Sequence, residues 1–168
     1  MSEPEEYVIG PAFCAPFGAI IQWFARCENV MTIMASAITG IEVPHAIMMM
    51  VELGYSGKRN TIRCLILSGI KDAKTREKVI WYLGQIHKHN QLRNNIAHRV
   101  WVAGKRPNSV KPMGLSIRGG KPDFAGLFDD EQDWTVDELW AAANDLGKTY
   151  NDLTGYCHEK QLFPVMSE

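Results

Sequence analysis

The sequence predicts an all-α fold: a bundle of about five helices, with an irregular loop or hairpin inserted at about residues 101–134 before the last helix, in a single domain covering 1–168. Three observations point there. Apolar residues recur at spacings of three and four over most of the chain, the period of a helix with one buried face. That period is lost between Trp101 and Trp134, where Gly, Pro, Asn and Ser gather. It returns after Thr135, which together with Glu138 reads as a capping box. With 168 residues, 46% of them hydrophobic and 22% charged, the chain can bury a continuous core without staples.

The first helix is carried by Ile20, Trp23, Phe24, Cys27, Met31, Met34 and Ile38, with Gly40 as its stop. Pro44 suits the first turn of a second helix through His45 to Leu53, because its missing amide proton costs nothing there. Gly54-Tyr55-Ser56-Gly57 breaks the pattern, and a third helix from about Gly57 to Ser68 is expected to bury Ile62, Leu65 and Ile66 and end at Gly69. The longest helix is expected from near Thr75 to about Arg99, on Val79, Leu83, Ile86, Leu92 and Ile96. The last follows Val136, Leu139, Trp140, Ala143, Leu146, Tyr150, Leu153 and Cys157. Met48, Met49 and Met50 are read as core filling, and Arg118-Gly119-Gly120 as a turn within the insertion.

Cys14, Cys27, Cys64 and Cys157 lie far apart with no C-x-x-C pair, which argues against a disulfide framework or a structural zinc site and suits a reducing cytoplasm. Arg26, Glu28 and Asn29 interrupt the most apolar stretch, Ala12 to Ile41, and the acidic start lacks the positive region of a secretory signal, so no membrane is expected. No nucleotide-binding loop, hydrolase triad, H-E-x-x-H or paired-carboxylate spacing is present, and no cofactor is expected.

The net charge of −1 conceals an uneven distribution, for 15 of the 18 basic residues but only two of the 19 acidic ones lie from Lys58 to Lys121. A basic middle between acidic flanks is a footprint for a polyanion, because clustered cations displace the counterions condensed on phosphates. Alternatively, the two kinds of segment face each other in the fold or in a dimer.

Within this basic stretch stands Arg93-Asn94-Asn95-Ile96-Ala97-His98. On a helix Asn94 and His98 project from one face, while Arg93 lies about 100° around from Asn94 and converges through its length. A fixed cation, an amide and an imidazole that titrates near neutrality suit phosphate chemistry. One copy makes half a site; a two-fold dimer would gather two imidazoles and two guanidiniums around one phosphodiester, supplying acid, base and charge stabiliser without metal. His87-Lys88-His89 does not suit a metal, since residues two apart on a helix diverge by about 200°. His45 and His158 have no evident partners. Glu28 is either a surface charge or a buried carboxylate pairing with Arg93 or His98, and Trp81, Tyr82, Trp101 and Trp134 either stack on unpaired bases or pack the fold.

RNNIAH, late in a long helix, preceded by two or three helices and followed by an irregular stretch and a terminal helix, resembles the pattern of HEPN domains. Those are helical bundles marked by an arginine, usually a polar residue after it, and a histidine separated from the arginine by four to six residues. The resemblance covers most of the chain, though only the motif is specific. It implies a homodimer with a composite site and, in active members, a metal-independent endoribonuclease of the toxin or defence kind. His98 would be the general acid or base, Arg93 would bind the scissile phosphate, and Asn94 would orient one of them. The product would be a 2′,3′-cyclic phosphate, and DNA would be refused. Lys88, Arg99, Lys105 and Arg106 are the expected RNA contacts. A neutralising partner protein would accompany a toxin-like member. Two other readings stay open: a non-catalytic HEPN-like dimer that binds RNA or a partner protein, and a domain whose opposite charges serve assembly alone.

Overall fold

The computed structural model describes residues 9–118, 121–125 and 133–163, with the backbone path alone for 114–118 and 121–125. The fold is mainly helical, as the apolar periodicity predicts. Among the described residues six α-helices occur in the order α1 (Cys14–Thr39), α2 (Val43–Val51), α3 (Tyr55–Gly69), α4 (Ala73–Lys88), α5 (Asn90–His98) and α6 (Val136–Glu159), with a short 3-10 turn at Pro11–Phe13 ahead of α1. Between α5 and α6 run β1 (Val100–Ala103), β2 (Ser109–Arg118), β3 (Lys121–Ala125) and β4 (Trp134–Thr135). The chain gathers into two compact units: one from Met1–Gln22 and His89–Asp145, the other from Trp23–Lys88 and Leu146–Glu168.

The second unit is built on α2, α3, α4 and most of α1 and α6. Phe24, Met31, Met34, Ile62, Ile66, Val79, Leu83, Ile86, Leu146 and Leu153 are buried there, and the rings of Phe24 and Tyr55 lie 4.8 Å apart. Gly40 ends α1 at a φ of +72°, where a side chain would be strained, and its amide donates to the Ser36 carbonyl at 2.9 Å. Asp72 caps α4, accepting from the Thr75 amide at 2.8 Å and the Thr75 hydroxyl at 2.6 Å. Glu28 resolves as a largely buried carboxylate that accepts from Lys58 Nζ at 3.1 Å. The methionine run departs from expectation: Met50 is buried, but Met48 and Met49 are each 63% exposed, because a helix can turn only one of three consecutive side chains fully inward.

In the first unit the insertion is a small antiparallel sheet, the hairpin alternative made regular. The first half of β2 pairs with β1, from Val100 opposite Met113 to Ala103 opposite Val110, and its second half pairs with β3. β4 joins β2 through Ser109 opposite Thr135. The alternation is visible in Trp101, buried between exposed Val100 and half-buried Val102. Gly119 and Gly120, read as a turn, lie outside the described residues, as does the acidic start.

The long helix expected from Thr75 to Arg99 is two helices. α4 ends at Lys88, His89 takes φ −92° and ψ −1°, and α5 begins at Asn90. No Gly or Pro marks the break. His89 is instead tethered through Nε2 to Asp145 Oδ2 at 2.7 Å, a contact 56 residues away in sequence that periodicity cannot register. Its carbonyl still accepts the Arg93 amide at 2.9 Å, so α5 starts directly from the break.

Candidate functional site

Helix α5 carries the whole RNNIAH segment, and its nine residues hold it by two buried side chains, Leu92 and Asn95. Asn95, not Asn94, is the inward amide. Its Oδ1 accepts from Gln91 Nε2 at 3.1 Å, and its carbonyl takes both the Arg99 amide at 3.0 Å and the Trp101 indole N–H at 3.1 Å. Trp101 in turn packs on Phe17, ring centres 4.6 Å apart. The first strand of the sheet thereby pins the end of α5.

With Asn95 facing in, its neighbour Asn94 turns about 100° away and His98, one turn on, follows it. Arg93 donates from Nη1 to Asn94 Oδ1 at 2.8 Å, so cation and amide, which cannot share a helix face by spacing alone, are joined by the length of the arginine. Both are half-buried. His98 closes the helix with an exposed side chain that has no hydrogen-bond partner among the described residues.

The expected RNA contacts divide. Lys88, the last residue of α4, is exposed and donates to Gln85 Oε1 one turn earlier. Arg99 is half-buried at the extended residue that caps α5. Lys105 is exposed, its amide donating to Asp133 Oδ2 at 2.6 Å. Arg106 is engaged in structure: Nη1 and Nη2 donate to the two carboxylate oxygens of Glu138 at 2.8 and 2.7 Å, and Nη2 also to the Asp133 carbonyl. That fork leaves the guanidinium little to offer a phosphate.

The centre that sequence reasoning missed is Asp133, 6% exposed. Its Oδ2 accepts from the amides of Lys105 and Arg106 and from Ser109 Oγ at 3.1 Å, while its buried Oδ1 has no hydrogen-bond partner among the described residues. Burial pushes this carboxyl up, but the two amides, the Ser109 hydroxyl and the charge of Lys111 together hold it below the ordinary carboxylate value. Only Glu138 carried a signal in the sequence. The capping box is formed, with the Thr135 amide donating to Glu138 Oε2 at 2.8 Å and the Glu138 amide to Thr135 Oγ1 at 3.3 Å. The Arg106 guanidinium and then the Thr135 amide draw the Glu138 carboxyl down to about 2.

Among the described residues no three His, Cys, Asp or Glu side chains gather as metal ligands, and no helix is long and apolar enough to cross a membrane. All four cysteines are free thiols, and burial pushes Cys27 and Cys157 up to about 12, which leaves them unreactive. No family model, curated protein or solved structure matches the chain.

Proposed function

We propose that the chain is an HEPN-like endoribonuclease that acts as a homodimer in the cytoplasm, with Arg93, Asn94 and His98 of both protomers forming one site. The observation that carries this reading is the arrangement on α5: an arginine joined to an amide at 2.8 Å, followed one turn later by an exposed imidazole on the helix's last residue. A guanidinium anchored by an amide, with an exposed imidazole further along the same helix, supplies the kinds of group that phosphodiester cleavage uses.

In the proposed reaction one neutral His98 takes the proton of a ribose 2′-hydroxyl, and the freed oxygen attacks the adjacent phosphorus. The bond to the 5′-oxygen breaks as the partner's protonated His98 donates to that leaving oxygen. The products are a 2′,3′-cyclic phosphate and a 5′-hydroxyl, and the two histidines end with their protonation states exchanged. Arg93 neutralises the phosphate oxygens as charge builds, and Asn94 holds Arg93 in place. DNA, without a 2′-hydroxyl, is not cleaved. A neutralising partner protein would cover the same exposed end of α5.

The test is incubation of the purified chain with mixed RNA in EDTA beside His98→Ala and Arg93→Ala. Cleavage by the parent that leaves cyclic phosphate ends and falls by on the order of a hundredfold or more in each variant is the expected result. Cleavage surviving both changes removes the assignment. RNA that is bound but left whole would favour the non-catalytic reading.

A further inference from the structure

Helix α4 has one face that the core does not use. Thr75, Val79, Tyr82, Leu83 and Ile86 form its buried side. Lys74, Lys78, Trp81, Gln85 and Lys88 follow at steps of four, three, four and three, which places them within an arc of about 80° on the outer side. The three lysines are exposed, and so is the Trp81 indole, which leaves 50% of its surface in solvent. From Lys74 to Lys88 the stripe is about 21 Å long, room for about six nucleotides at the roughly 3.4 Å rise of a stacked strand.

A solvated helix face ordinarily intersperses both signs of charge. Here Glu77, at the edge of the stripe, is the one acid in α4. None of the three ammonium groups has a carboxylate partner among the described residues. Arg76, which would otherwise add to the charge, is turned to the carbonyls of Ile70 at 3.1 Å and Lys71 at 3.3 Å. The indole is held in place rather than free to collapse: Tyr82 packs edge-on, ring centres 5.0 Å apart, and Lys78 Nζ stands 4.3 Å from the Trp81 ring centre. Lys74, Lys78, Trp81 and Glu77 border a shallow hollow there.

We infer that this face of α4 is a binding track for single-stranded RNA, with an unpaired base stacked on Trp81 and the flanking phosphates on Lys74, Lys78 and Lys88. An aromatic face flanked along a line by cations that have no carboxylate partner among the described residues complements a strand that alternates exposed bases with phosphates, and a duplex, whose base faces are covered, does not fit it. That the strand is RNA rather than DNA rests on the function proposed above. The track itself stands on the geometry of α4.

The probe is a fluorescein-labelled 12-nucleotide oligouridylate, its binding to the His98→Ala chain followed by anisotropy at several salt concentrations, so that the strand stays whole. Trp81→Ala is expected to weaken binding on the order of tenfold, and Trp81→Phe to recover most of it. Replacing Lys74, Lys78 and Lys88 together by Gln should remove a dependence of log affinity on log salt of slope about −2. Binding unchanged in both Trp81→Ala and the triple variant overturns the track, as does a duplex RNA of equal length binding as tightly as the single strand. Tight, Trp81-dependent binding by a parent that cuts nothing would sink the nuclease and keep the track, whereas cutting indifferent to both sets of changes would do the reverse.

Discussion

Helix α5 and the turn between β1 and β2 belong to the same compact unit and the same basic stretch of sequence, yet Arg106 at the turn is forked onto a carboxylate whereas His98 on α5 stands exposed. At the turn, Arg106 is forked onto Glu138 and buried Asp133 gathers two backbone amides and a hydroxyl. Lys111, 5% exposed, lies close enough to lower the Asp133 carboxyl. On α5, the Arg93 guanidinium meets an amide, and the His98 imidazole is exposed. Local basic charge therefore does not identify a nucleic-acid surface. Partnered charges hold the β1–β2 turn against the residues that lead into α6, and exposed His98 is left to meet a ligand.

Three changes would break or sharpen that contrast. The largest effect is expected from Asp133→Ala, which takes the acceptor from the part-buried Lys105 and Arg106 amides and leaves Ser109 Oγ only the Arg106 carbonyl at 2.8 Å. A loss of about 3 kcal/mol in chemical denaturation is expected, against less than about 0.5 kcal/mol for exposed His98→Ala. Equal losses would dissolve the distinction.

The second is a pH effect. Glu138 has its folded carboxyl drawn from 4.5 down to about 2, so its contribution is present in full above about pH 4.5 and is lost as pH falls toward about 2. Asp133, held low as well, adds in the same direction. Thermal melts should show stability falling through that window, and Glu138→Gln should flatten the fall. A variant that declines as steeply as its parent would count against the Arg106 fork as the cause.

The smallest effect separates the arginines. Arg106→Gln is expected to lower the melting temperature only slightly, since the pair with Glu138 is partly exposed and screened, and to leave RNA affinity within about twofold. A large loss of RNA affinity there would return Arg106 to the contact surface.

Much of the fold was legible because periodicity reports which side of a helix is dry. Phe24, Met31, Met34, Leu139, Leu146 and Leu153 all face the interior as their spacing predicts. The capping box at Thr135 and the stop at Gly40 were legible for a similar reason, since each is a contact within a few residues. The break at His89 was not, because no local helix breaker marks it and the contact His89 makes there, with Asp145, is distant in sequence. Nor was Asp133, which stands alone in sequence and gains its meaning only when the β1–β2 turn closes over it.

At the candidate site the same boundary applies. The sequence by itself determined that Arg93, Asn94 and His98 share one helix and that the chemistry of their side chains suits a phosphate. The tertiary structure alone decided that Asn95 faces inward beneath Trp101, that Arg93 reaches Asn94, and that Arg106 turns to Glu138. Helical spacing sets angles within an element, whereas the partner of a long, charged side chain is set by whichever distant segment folding brings within its reach.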